Sequence, residues 1–265
     1  MNALSLALTD SRTMVRRNLR RLRRYPSMTV IVVGMPVVFL LLFVYVLGGT
    51  LGAGIDPGGG RAEYLAYLVP GILILAIASI AQSTAISVAM DMTEGIVARF
   101  RTMAIARSSI LTGHVIGALV QSAIAVATVL VVAVLIGFRP EASIADTLGL
   151  VGVLLLIAFA FTWMSVALGL ASDSVETASN LPMFLVLLPF LGSGFVPTDS
   201  MPAGLQWFAE HQPFTPMTES VRGLLAGAPD GGDILAAVIW CVVLAGASFL
   251  WAQRSFAQPA RPAKA

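Results

Sequence analysis

Met28–Gly48 holds 21 residues without a single charge. A helix needs about 20 apolar residues to cross the hydrocarbon core of a bilayer. This stretch is therefore read as a first membrane span, with Pro36 placed to kink it. Similar runs follow along the chain, and together they leave little room for a soluble surface. Only 11% of the 265 residues are charged and 57% are hydrophobic, where soluble domains carry about 25% charged residues.

Spans are expected at residues 28–48, 64–90, 111–137, 146–171, 180–196 and 234–251. The expected fold is all-α and polytopic, with six transmembrane helices. Gly48–Arg61 reads as a Gly-rich loop around Asp56-Pro57. The second span carries a polar stripe of Gln82, Ser83, Thr84 and Ser87. Polar groups at membrane depth need partners, so this stripe faces either other helices or a water-filled path. Pro182 and Pro189 break the fifth span, which ends in Gly192-Ser193-Gly194.

Residues 1–27 form an N-terminal segment too basic for a signal peptide, with Arg12, Arg16, Arg17, Arg20, Arg21, Arg23 and Arg24. Leu4, Leu8, Val15, Leu19 and Leu22 fall near one helical face, which predicts an interfacial amphipathic helix on anionic lipid. A nucleic-acid arm is disfavoured because the block abuts a span directly. A plain topogenic charge cluster is the simpler alternative. Residues 197–233 are too polar to span and too apolar for a free loop. Leu205–Ala209 and Met217–Ala226 read as a re-entrant helical pair split by Gln212–Pro216, with Trp207 and Phe208 suited to the interface. The tail, residues 253–265, is expected to be disordered.

Charge fixes the expected orientation. Thirteen Lys or Arg lie in the N-terminal block, the 91–110 segment and the tail, against three on the opposite side. The positive-inside rule then places both termini and residues 91–110 in the cytoplasm, and the helical pair outside. Fifteen of the 16 basic residues are Arg, which fits a GC-rich genome such as an actinobacterium's. The single Lys264 stands in no G-x-x-x-x-G-K-[ST] loop, so the chain has no P-loop of its own. One cysteine, Cys241, excludes a disulfide framework within the chain.

Enzymatic chemistry finds little support. Ser193 with His211 lacks the G-x-S-x-G arrangement, and Gly-Ser-Gly at a span end reads as a helix stop. Acids sit at span ends and in loops (Asp91, Glu94, Asp146, Asp173, Glu176), which argues against an autonomous ion-coupled pump. What remains is a membrane path driven from outside. The charged segment 91–110 is the candidate input. Ile96, Phe100 and Met103 share a helical face there, so Phe100 can serve as a knob in a partner's groove, with Glu94, Arg99 and Arg101 as orienters. A solvated connecting loop is the alternative.

Two stretches carry a family likeness. One is Glu94-Gly-Ile-Val-Ala-Arg-Phe-Arg-Thr-Met-Ala-Ile-Ala-Arg107. The other is Asn180-Leu-Pro-Met-Phe184 followed by Ser193–Pro202, Leu205-Gln206, Pro213–Pro216 and Arg222-Gly-Leu-Leu-Ala-Gly227. In these, and in its six spans, the chain resembles the type-2 ABC exporter permeases, nearest to the daunorubicin/doxorubicin-resistance type. The resemblance implies a transmembrane domain over residues 28–252 working as a dimer, with spans two and five lining the central path. It implies two copies of a separate ATP-binding subunit, which would hold ATP and Mg, and no cofactor in this chain. Residues 91–110 would be the coupling helix and residues 9–25 the connecting helix. Gln82, Ser83, Ser87, Met183 and Phe184 are the candidate path residues. The function expected is outward movement of a hydrophobic or amphipathic compound, whether drug, antibiotic or lipid, across a bacterial inner membrane. An ion-coupled carrier or channel is the competing reading.

Overall fold

The computed structural model describes residues 13, 15, 16, 26–55, 60–93 and 107–257. All elements among them are helical. Helix α1 (Pro26–Leu42) runs through a π-helical turn at Phe43–Leu47 into α2 (Gly48–Ile55). Helix α3 spans Arg61–Thr93, α4 Arg107–Leu135 and α5 Ile144–Ala171. Short helices α6 (Val175–Asn180) and α7 (Met183–Leu187) precede a 3-10 turn at Leu188–Leu191. Helices α8 (Ala203–His211) and α9 (Phe214–Leu225) form a pair, and α10 (Gly231–Ala257) closes the fold.

Five stretches are long and apolar enough to cross a membrane: Val30–Gly54, Arg61–Thr93, Leu111–Leu135, Ile144–Ala171 and Gly231–Ser255. One stands apart from the rest. In α3 83% of the most apolar 18-residue window is buried, against 22–39% for the other four. Helix α3 is thus the axis of the fold, packed by α1, α4, α5, α6, α7 and α9. The other long helices turn apolar side chains outward, among them Val30, Ile31 and Val46 in the first span and Leu235, Val242 and Leu250 in α10. Such surfaces are stable where lipid covers them.

Close packing explains several small residues. A Cβ on Gly169 of α5 would stand 2.6 Å from the Ala85 carbonyl of α3. A Cβ on Gly71 would overlap the backbone of Gly194. Without a hydrophobic drive between helices in lipid, such backbone approach is a main source of cohesion. Gly137 and Gly227 adopt φ of +115° and +68°, a region that L side chains avoid. They end α4 and follow α9, and the Glu141 N–H donates to the Leu225 carbonyl at 3.0 Å between these two ends.

The structure departs from the sequence reading in several places. The Gly-rich stretch after Gly48 is helical as far as Ile55 rather than a loop. At membrane depth a backbone must satisfy its own hydrogen bonds, and that outweighs the modest helix penalty of glycine. The fifth span is broken at Pro182 and Pro189 as expected, but its helical run lies at Val175–Leu191 instead of residues 180–196 and is shorter than the five long helices. Pro182 caps α7, and Pro189 holds the following turn in 3-10 form. The final helix extends through Arg254 to Ala257, so part of the expected tail is helical. Lastly, Asp91 belongs to the buried end of α3 rather than to a charged surface segment. Span four begins at Ile144, two residues before the expected Asp146, because Ser143 and Asp146 form a reciprocal capping box.

Candidate functional site

The candidate path residues divide between two neighbouring elements. Gln82, Ser83 and Ser87 lie half-buried on α3. Met183 and Phe184 lie on α7 with 48% and 40% of their surface exposed. Helix α3 packs against both α6 and α7, so the two halves of the expected path stand side by side. The Gln82 amide donates to the Ser179 carbonyl at 2.9 Å, just before the break at Pro182. At this residue the polar stripe ties one helix to the next. Glu94, Arg99, Phe100 and Arg101, the expected motor contacts, lie outside the described residues.

A polar cluster gathers around the turn Gly192–Gly194. Arg222 of α9 places its guanidinium carbon 3.9 Å from the Tyr67 ring centroid. It donates to the Ser193 carbonyl at 2.7 Å and to the Tyr67 carbonyl at 3.2 Å, and pairs with Glu219. The Thr215 hydroxyl accepts from the Ser193 N–H at 3.4 Å, and the Gln212 amide donates to the Leu188 carbonyl at 3.4 Å. One guanidinium thus joins α3, the Gly-rich turn and the helical pair. Below this turn Phe190 and Phe195 stack with centroids 4.1 Å apart, and Phe43 approaches Phe195 at 5.2 Å. The broken fifth segment is pinned to the first span by these rings.

Ser193 and His211 do not form a catalytic pair. Ser193 is buried, whereas His211 is exposed, stacks on Trp207 and bonds the Trp207 carbonyl of its own helix at 2.8 Å. Among the described residues no three His, Cys, Asp or Glu side chains group as metal ligands.

The third feature is a buried polar contact between the ends of α3 and α4. The Nε2 of His114 lies 3.1 Å from Asp91 Oδ2, and their side chains are 6% and 4% exposed. Val88, Leu111 and Val115, neighbours of the two along their helices, join Trp163, Val166, Ala167 and Ala252 in a separate apolar cluster. Removing one member of a buried hydrogen-bonded pair costs about 1–3 kcal/mol, because a buried polar group loses a partner.

Sequence reasoning missed Asp91–His114 and the role of Arg222. A signal existed for the first. Thr84, Val88 and Asp91 follow at spacings of four and three, all buried, so the inner face of α3 continues past Met90. On α4, His114 and Gln121 are seven apart and both buried. Arg222 opens the stretch Arg222–Gly227 that carries the family likeness, but its partners beyond Glu219 lie 29 and 155 residues away, out of reach of local pattern.

Long apolar helices around a buried axis, with polar side chains bridging the helix junctions, define a polytopic helical membrane protein. The chain belongs to the ABC-2 type transporter family, whose family model matches residues 9–226. It is 27% identical over 242 residues to the daunorubicin resistance ABC transporter permease protein DrrB1 of Streptomyces coeruleorubidus, covering 91% of this chain and 82% of that one. It is 23% identical over 233 residues to the "Probable doxorubicin resistance ABC transporter permease protein DrrC" of Mycobacterium tuberculosis strain ATCC 25618 / H37Rv, covering 85% and 83%. Strain CDC 1551 / Oshkosh has a DrrC that matches to the same extent.

Proposed function

We propose that this chain is the membrane permease of a two-component exporter driven by a separate ATP-binding subunit. The observation that carries this is the family match over residues 9–226, together with drug-resistance permeases aligned over more than four fifths of their length. The cargo is a hydrophobic or amphipathic compound, a drug, antibiotic or lipid. Two permease copies enclose the path, and two ATP-binding subunits carry ATP and Mg. Residues 91–110 receive the stroke, with Phe100 as the knob and Glu94, Arg99 and Arg101 orienting it. The charge asymmetry supports cytoplasmic termini in a bacterial inner membrane, and the Arg bias suits an actinobacterium. Ser83, Ser87, Met183 and Phe184 face the cargo, and Gln82 ties α3 to α6 beside them.

The arrangement of α3 supports this reading. It is the most buried helix and leads directly into the charged segment, so a push there is delivered to the axis of the fold. The decisive experiment co-expresses the chain with an ABC ATP-binding subunit that co-purifies with it and follows doxorubicin uptake into inverted vesicles. ATP-dependent uptake that stops when the ATPase is catalytically inactivated supports the proposal. Uptake driven by a proton gradient in the absence of any ATPase would favour the ion-coupled carrier instead.

A further inference from the structure

Asp91 opens the 91–110 segment proposed above as the motor contact, and His114 follows its end. Asp91 sits three residues before position 94, and His114 eight residues after position 106. Their side chains meet at 3.1 Å in a buried position. Around them Val88, Leu111 and Val115 share one buried apolar cluster, and the small residues Ala85, Ala89, Gly113, Gly117 and Ala118 of the same two helices are buried as well.

The two kinds of contact respond differently to force. In lipid, apolar side chains gain little by preferring one helix partner over the hydrocarbon around it, and van der Waals contacts lack the angular preference of a hydrogen bond. Such contacts can slide. A hydrogen bond is directional and weakens steeply when misaligned. A buried carboxylate or imidazole also has no water to turn to, so separation is costly. The imidazole donates to the carboxylate both when protonated and as the Nε2–H tautomer. We propose that Asp91 and His114 are positioning residues that form a strut, locking the register of α3 and α4 where both helices enter the 94–106 segment. A displacement of that segment then moves the two helices as one body instead of being lost in slippage between them. This inference rests on the exporter reading given above.

The test uses the complex with the ATP-binding subunit. In the D91L/H114L variant both members of the pair become apolar, so neither is left buried facing an apolar replacement of the other, and membrane insertion with co-purification checks that the fold is kept. Cys241 is replaced by alanine, and spin labels are placed through Thr93→Cys and Ile116→Cys, both exposed positions. With the pair intact, the label distance is the same without nucleotide and with ATP. In D91L/H114L the distribution broadens, while membrane insertion and co-purification are unchanged. Doxorubicin moved per ATP falls by about threefold to thirtyfold. The swapped variant D91H/H114D restores the narrow distribution. A narrow distribution in D91L/H114L, or an ATP-driven change of distance with the native pair, overturns the strut. Failure of any ATP-binding subunit to co-purify with the native chain overturns the exporter reading instead, and the label distances without nucleotide still decide whether the pair holds the register.

Discussion

The guanidinium of Arg222 lies 3.9 Å above the Tyr67 ring centroid and also bonds the Tyr67 carbonyl. One residue of α9 therefore holds both the side chain and the backbone of one residue of α3. The same guanidinium donates to the Ser193 carbonyl, so the α8–α9 helical pair, the Gly192–Gly194 turn and the central helix share one cation. A planar, forked guanidinium can stack and donate at once, whereas an ammonium cannot do both in this geometry. This places Arg222 among the residues that set where the helical pair rests on the bundle.

Arg222→Ala should destabilise the protein by about 2–4 kcal/mol, since charge-assisted hydrogen bonds contribute about 1.5–3 kcal/mol each and the site is partly open to solvent. Arg222→Lys should recover less than half of that loss. Thermal unfolding in detergent measures both, and limited proteolysis between residues 197 and 213 should speed up in parallel. An Arg222→Lys protein as stable as the native one would show that charge alone suffices.

Gly71→Ala should be costly out of proportion to its one added carbon. The new Cβ would meet the Gly194 backbone, which cannot swing aside as a side chain can. Overpacking of this kind costs about 1–3 kcal/mol. Gly34→Ala is the control, because nothing lies within 4 Å of a Cβ there. It should be neutral or gain up to about 1 kcal/mol from helix propensity. Equal unfolding midpoints for the two variants would show that α3 and the turn can separate freely.

Much of this architecture could be read from the sequence, because bilayer thickness translates directly into run length. The five long helices fall where uncharged runs lie, with ends displaced by a few residues for local reasons such as the Ser143–Asp146 box. Pro182 and Pro189 marked the breaks in the fifth segment. Helicity across Gly48–Ile55 escaped the reading because glycine's turn preference is a property of aqueous chains. The polar contacts escaped for another reason. Arg222 to Tyr67 and His114 to Asp91 are meetings between helices, and periodicity within one helix gives a face without naming its partner.

Phe100→Ala should separate docking from stability. Phe100 is the aromatic residue between Arg99 and Arg101 in the segment joining α3 to α4. If it is the knob, the variant inserts normally, and ATP-dependent uptake falls by about tenfold or more, as buried aromatic anchors at interfaces are worth at least about 2 kcal/mol. Co-purification of the ATP-binding subunit should weaken together with uptake. Full uptake with full co-purification would assign the contact to another residue.

Topology offers a test that needs no cargo. An impermeant thiol reagent should label Gly204→Cys from outside intact cells, in a Cys241→Ala background. Arg101→Cys should be labelled only after the membrane is opened. Gly204 has nothing within 4 Å of a Cβ, so the substitution itself is harmless there. The reverse pattern would invert the chain and contradict the charge asymmetry of its loops.

Gln82 and Ser87 should behave differently although both belong to one polar stripe. The Gln82 amide is committed to the Ser179 carbonyl, across the junction of α3 and α6. Gln82→Leu removes that bond and leaves a carbonyl without its donor, so the expected effect is on stability, about 1–2 kcal/mol. Uptake should then fall in similar proportion for every compound transported. Ser87→Ala removes only a half-buried hydroxyl from the same helix. If Ser87 faces the cargo, its loss changes the relative uptake of polar and apolar compounds while the unfolding midpoint holds. Initial rates for doxorubicin and a more hydrophobic analogue, measured on both variants, distinguish a helix junction from a path. A uniform loss in both would reduce the stripe to helix packing and move the path to the exposed face of Met183 and Phe184.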